Sequence, residues 1–359
     1  MRSKLIAICG GLALLSIDAF AVAAGPSPPT ANLPTGAGVP ASPQSSATVT
    51  PMTLPPVGVG VAAIRPTTEI GIPGSMNFGG SQLFISLLRG GSAAGTVITE
   101  QLGQDHVRRK HLGRVLWDPI VVETAPGPPL TSLVGPFLAG PVMRFNGAIS
   151  DDVLPAGQEL TFINSILSEV VFPACDAQSP DHGKVRVTFV PETVRLAPHA
   201  TATQVAPQSV KLGGLLGAQW SSSNFELTMG GVEAQRVARI EPITVRQVAT
   251  SNAVGVDRDL QAQPAMLEIS NVILTLTAAN EASIAGWLNW YRDFVIVGNN
   301  RNAQKKSFTL AFLSNDRKTS LGNLTGSGVG IVSLRALPSN NSTVRLYQVE
   351  LYVEQLDFK

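Results

Sequence analysis

Over much of the chain, apolar positions recur with a period of two. Tyr347, Val349, Leu351 and Val353 alternate with Gln348, Glu350, Tyr352 and Glu354, the pattern of a strand that buries one sheet face. Val272, Leu274 and Leu276 alternate with Ile273, Thr275 and Thr277, so this strand is apolar or β-branched on both sides. Phe225, Leu227 and Met229 run into Gly230-Gly231, which reads as a strand ending in a tight turn. One segment changes period. Ile284, Trp287, Leu288 and Tyr291 fall at i, i+3, i+4 and i+7 behind Asn280 as N-cap and Glu281 in the first turn. This stripe predicts a helix that lies on a sheet or covers the edge of a barrel, and its four apolar residues are read as packing core rather than a cofactor box.

Two stretches have no such periodicity. Residues 25–74 are Pro, Ala, Thr, Ser and Gly, with no charge before Arg65, and read as an extended tether that builds no core. A thinner seam of similar composition occupies 198–217. The folded blocks are therefore expected at 75–197 and 218–359. They carry a faint likeness to each other: Leu160 to Asn164 sets beside Leu310 to Ser314, and Val185 to Val190 beside Val344 to Val349, with Val194 then opposite Val353. A short apolar segment from Thr131 to Val142 takes the place of the helix in the first block, with Pro136, Gly140 and Pro141 shortening or distorting it. The order of elements is kept, which predicts a duplication.

The N-terminus sets the expected compartment. Arg2 and Lys4 precede an apolar run from Leu5 to Ile17, and Ala19-Phe20-Ala21 and Val22-Ala23-Ala24 offer small residues for cleavage. Residues 1–24 thus read as a signal peptide cleaved near Ala21 to Ala24, with a secreted or periplasmic destination and an uncleaved anchor as the alternative. The apolar run falls short of the roughly 20 residues of a spanning helix. Of the two cysteines, Cys9 and Cys175, only the second would survive cleavage, so the fold is expected to rest on its core rather than on disulfides. The 26 basic and 25 acidic residues nearly cancel, which removes a global field for nucleic acid or membrane surface.

Thr99-Glu100, Lys110-His111-Leu112-Gly113 and Trp117-Asp118-Pro119-Ile120 are similar to the signature of phage tail tube proteins. The helix around Trp287-Leu288, the strand from Phe308 to Leu313, the turn at Asn315-Asp316 and the ending from Ser339 to Tyr352 resemble the same family. The first block keeps Lys-His-x-Gly and loses a clean helix; the second keeps the helix but has Asp259-Leu260-Gln261-Ala262 in place of the basic motif. The resemblance implies a mainly β chain of two tandem small antiparallel β-barrels, each with a flanking helix. It further implies barrels that close into rings and stack into a tube, as in contractile injection machines and type VI secretion. With two barrels per chain, it implies a trimer forming a pseudo-hexameric ring, with tube or baseplate-like proteins as further partners.

Candidate chemistry is sparse. Arg108, Arg109, Lys110, His111 and Arg114 form the densest basic cluster, with only Trp117 nearby as a stacking surface, so no nucleic-acid partner is expected. The cluster is read instead as an inter-subunit stacking loop or hairpin. Cys175 with Asp181-His182 is the one grouping that suggests a nucleophile and base, but it sits among Pro173, Pro180 and Gly183 and reads as a turn. His106 and His111 are not at zinc spacing, and Asp151-Asp152 reads as a solvated turn. The glycines from Gly322 to Gly330 lack the Lys-Ser/Thr of a phosphate loop. No catalytic, cofactor or metal residues are assigned. The expected function is an exported, non-catalytic structural protein. The alternative is a monomeric binding module for an envelope or surface ligand, with Trp117 or Trp220 exposed for contact.

Overall fold

The computed structural model describes residues 74–101, 107–140, 143–151, 154, 158–198, 220–253, 260–338 and 344–359. The expected leader, the tether up to residue 73, and the seam from 199 to 217 lie outside the described residues, as do His106, Asp152 and His199.

The chain is mainly β, and one sheet is nearly closed and barrel-like. Its strands are β1 (Gly74–Phe78), β2 (Ser81–Ile85), β3 (Leu87–Arg89), β6 (Ile120–Thr124), β7 (Arg144–Asp151), β8 (Gln158–Phe172) and β10 (Val185–Val190), in the order β2-β1-β7-β8-β10-β6-β3. β2 closes back on β6, the strand next to the other end, where the Thr124 hydroxyl donates to the Phe84 carbonyl at 2.7 Å. Between β3 and β6 a separate hairpin rises, β4 (Ala93–Gln101) and β5 (Arg108–Trp117). β9 (Cys175–Asp176) and β11 (Thr193–Pro198) complete the first block. The second sheet contains β12 (Phe225–Met229), β13 (Val237–Ile240), β16 (Val272–Ala278), β17 (Lys306–Leu313), β18 (Ser320–Leu337), β19 (Arg345–Tyr352) and β20 (Gln355–Phe358). Its hairpin, β14 (Ile243–Ala253) and β15 (Leu260–Ile269), lies between β13 and β16.

The two sheets share one order. β1-β7-β8-β10-β6-β3 in the first is matched by β12-β17-β18-β19-β16-β13 in the second, and β11 lies on β8 as β20 lies on β18. The hairpins agree in register. Ala93↔Trp117 corresponds to Val245↔Ile269, and Gln101↔Arg108 to Ala253↔Leu260, at one constant sequence offset. The bulge between Gly95 and Val97 recurs between Gln247 and Ala249.

The match differs in register from the likeness read in sequence. Leu160 takes the place of Leu324 on β18, whereas Leu310 lies on β17 and takes the place of Ile149. The reason is an exchange of volume across one strand pair. On β7 and β8, Gly147 faces Phe162; on β17 and β18, Phe308 faces Gly326. A Cβ on Gly147 would lie 2.2 Å from the Phe162 ring, and one on Gly326 would lie 2.4 Å from the Phe308 ring. Each pair fills the same space with one aromatic, but from opposite strands.

The blocks share strands. β14 adds to β8, pairing Ile243↔Phe172 through Arg246↔Glu169, and β9 adds to β13. A single hydrophobic core runs through both, joined where Phe172 stacks on Phe312 at 6.1 Å and meets Phe358 edge-on at 5.2 Å. Trp220 closes this cluster edge-on against Phe312 at 5.1 Å, with its indole N–H donating to the Asn224 carbonyl at 2.9 Å.

Helix α1 (Pro128–Leu138) buries Leu130, Leu133, Val134, Phe137 and Leu138, and starts on prolines suited to a first turn. It begins before the expected Thr131 and carries Pro136 inside. The stripe at 284–291 forms a 3₁₀ turn (Glu281–Ile284), helix α2 (Ala285–Tyr291) and a π turn (Arg292–Ile296). Asn280 caps it by accepting from the Ser283 N–H at 3.0 Å, and the Glu233 carboxylate accepts from the Gly286 N–H at 3.0 Å. Ile284 and Trp287 are fully buried; Leu288 and Tyr291 are half-buried against the core, which also takes in Trp290 and Phe294.

Candidate assembly surface

The basic cluster lies on strand β5, not in a loop; only the connection 102–106 lies outside the described residues. The sequence left loop and hairpin both open because Arg108 to His111 are four consecutive polar residues with no apolar alternation to mark a core face. The structure gives the reason: the outer half of the hairpin has no core to face. Arg108, Arg109, Lys110, His111 and Arg114 are all exposed, and so are Val97, Ile98, Leu112 and Leu116 on the same two strands. Val97 keeps 60% and Leu112 65% of its accessible surface, high values for apolar side chains within regular structure.

Within the hairpin the contacts are local. Thr99 faces Lys110 and Glu100 faces Arg109, so two parts of the sequence signature lie across from each other. The His111 ring stands 3.7 Å from the Glu100 carboxylate. The Thr96 hydroxyl accepts from the Arg114 N–H at 2.8 Å and donates to the Arg114 carbonyl at 3.1 Å, bracing the bulge. Gly113 is required there, since a Cβ would lie 2.7 Å from the Thr96 hydroxyl and 2.9 Å from Ile98. At the base, the Asp118 N–H donates to the Ser92 carbonyl at 2.9 Å and the Ser92 hydroxyl donates to the Asp118 carboxylate. β4 pairs with β5 and with no other strand among the described residues.

The equivalent hairpin is placed differently. β14 lies against β8, where Ile243 and Val245 are buried and Arg246 donates to the Glu169 carboxylate at 2.7 Å. The β14 hairpin is thus docked by its base on a sheet edge within the chain, whereas β4 has no strand partner other than β5 among the described residues.

The remaining candidates separate. Cys175 is completely buried, and desolvation pushes its thiol far above the ordinary range, so the thiolate needed for nucleophilic attack is disfavoured. His182 is exposed in an isolated bridge to Ser221. Trp220 is a core residue rather than an exposed contact, and Trp117 is half-buried against the core. Among the described residues no group of three or more His, Cys, Asp or Glu side chains is placed to hold a metal ion, and no helix is long and apolar enough to cross a membrane. A small void inside the second sheet is lined by apolar side chains, including Leu227, Met229, Leu274 and Phe308.

No protein-family model matches the chain, and no curated protein matches it in sequence. Similar solved structures include the anti-feeding prophage baseplate, at 12% identity over 38% of this chain and 90% of that chain, with a TM-score of 0.29. Another is the sheath–tube complex of the PVC extracellular contractile injection system in its extended state, at 13% identity over 38% of this chain and 87% of that one (TM-score 0.28). Hcp1 from Flavobacterium johnsoniae is similar at 12% identity over 37% of this chain and 93% of that chain, with a TM-score of 0.23.

Proposed function

We propose that this protein is an exported structural subunit that associates with its own copies into a ring or tube of the phage-tail type. The observation that carries this reading is the β4–β5 hairpin, a strand pair with apolar side chains in solvent and an outer edge without a strand partner among the described residues. Such an edge invites pairing with another chain, and proteins whose working state is monomeric generally blunt or cover it. The sequence signature supports the same reading, since its Thr-Glu and Lys-His-x-Gly parts fall on this hairpin.

In this reading three chains complete a ring of six barrel-like units, and the basic residues Arg108, Arg109, Lys110, His111 and Arg114 contact the adjoining ring. A leader at 1–24 directs export, and the Pro-rich tether spaces the assembly from whatever holds its N-terminus. The chain does no chemistry of its own. Negative-stain electron microscopy of the mature protein tests this, with rings or short tubes of uniform diameter as the expected result. Single particles of one-chain size at all concentrations would overturn it and favour the monomeric module for an envelope or surface ligand.

A further inference from the structure

We infer that the β4 strand of one copy adds to the free edge of β18 in the next, repeating between chains the junction that β14 makes with β8 inside the chain. This inference rests on the self-association proposed above and specifies the surfaces that carry it.

The internal junction is the template. β8 is long enough to serve two partners on one side: β7 along its first part, up to Ile166, and β14 along its last residues, Glu169 to Phe172. Its other side carries β11 and β10. β18 is built the same way. β17 covers it up to Val329 on one side, and β20 and β19 cover the other, the latter from Gly330 to Leu337. On the side of β17, no strand among the described residues pairs with Ser333 to Leu337. This is the position that β14 fills on β8.

The register follows from shared partners. Val187 pairs with both Val122 and Val170, and its equivalent Val349 pairs with both Leu274 and Leu334, so Leu334 stands where Val170 stands. The bulge on β8 between Leu167 and Glu169 recurs on β18 between Ile331 and Ser333. On the donor side, Ala93 stands where Val245 stands. The internal pairs Thr244↔Val171, Val245↔Val170 and Arg246↔Glu169 therefore become Ser92↔Arg335, Ala93↔Leu334 and Ala94↔Ser333 between copies.

The chemistry of both edges fits backbone addition. Ala93 and Ala94 bring no charge to be desolvated, and Val332, beside the acceptor stretch, leaves 41% of its surface in solvent. Main-chain hydrogen bonds of this kind give affinity without a dedicated pocket. Donor and acceptor are different surfaces of one chain, so the contact is head-to-tail. It closes into a ring where the rotation between copies allows.

The test is a pair of cysteines at the Ala94↔Ser333 position. A94C/S333C, mildly oxidised at the concentration where the parent is oligomeric, is expected to give an intermolecular ladder on a non-reducing gel. The A94C and S333C single variants should give no ladder beyond the parent's background. R246C/E169C, at the equivalent internal position, should form an intrachain bridge and controls for geometry. A second pair of variants reads the same contact without a disulfide. A94R/S333E transplants the internal Arg246–Glu169 ion pair and should retain the parent's assembly, whereas A94R/S333R sets like charges opposite and should shift it towards single chains. An oligomer that forms normally in all variants without cross-linking would overturn the β4–β18 contact and leave self-association standing. A parent that is monomeric throughout would overturn both.

Discussion

Gly147 and Phe162 provide a quantitative test of how the first sheet is packed. Phe162 is fully buried, stacked on Phe189 at 5.6 Å, and its ring tip occupies the space beside Gly147 where any other residue would place a Cβ. In G147A that Cβ would lie 2.2 Å from the ring, so the ring or the strand must shift, an overpacking cost of about 1–3 kcal/mol. In F162A the cavity and lost burial should cost about 3–5 kcal/mol. The two effects are not independent. The three atoms nearest a methyl group at position 147 all belong to the Phe162 ring, so once the ring is gone the clash goes with it and the methyl fills part of the void; G147A/F162A should then be no less stable than F162A alone. The double-mutant cycle should then show a coupling of about 1–3 kcal/mol, the size of the overpacking term. Urea unfolding followed through the buried Trp220 and Trp287 reads these differences as shifts in midpoint at constant slope. A neutral G147A, or a double variant that equals the sum of the singles, would refute the packing argument.

Other outcomes follow from the same geometry. Folded protein should leave Cys175 unreactive towards a thiol reagent at neutral pH and release it only on unfolding, because the thiol is buried and its pKa raised; rapid labelling of the native state would contradict this. Asp316, at the β17–β18 turn, has its pKa lowered by the Ser314 hydroxyl and the Lys318 N–H. Its contribution should be present above the ordinary aspartate value and fade as pH falls through its lower folded value, which an NMR titration of the carboxylate can follow; titration at the ordinary value removes the turn's role. K110S/H111S should keep each ring intact but reduce the length of stacked assemblies in electron micrographs, and unchanged lengths would remove β5 from the stacking surface.

Much of the architecture was legible because strands with one buried face write their period into the sequence. Tyr347, Val349 and Leu351 alternate in sequence and are buried, as do Val272, Leu274 and Leu276. The helix stripe was readable for the same reason, although it left out Trp290 and Phe294, which lie at i+3 and i+7 from Trp287 and carry the same buried face on into the π turn. The register of the internal likeness was not legible. Aligning Phe162 with Phe312 matched aromatic to aromatic, whereas the position corresponding to Phe162 is Gly326, which gives its space to Phe308. The sharing of strands between the blocks also leaves no local mark, since Ile243 and Val245 read as any half-buried strand whichever block they join. The hairpin at 93–117 was hidden by its own exposure: a strand without a core face has no periodic signal, and only the Lys-His-x-Gly resemblance pointed to it.

The most direct measurement is the solution mass of the mature protein by light scattering across a concentration series, beside a V97S/L112S variant in which the hairpin surface is made polar. A discrete multiple of the chain mass, three chains or a multiple of three, is expected for the parent, with a shift towards single chains in the variant. A parent that stays at the mass of one chain at every concentration would contradict self-association, and an oligomer indifferent to V97S/L112S would confine its interface on this hairpin to the base at Ser92 to Ala94 or place it elsewhere.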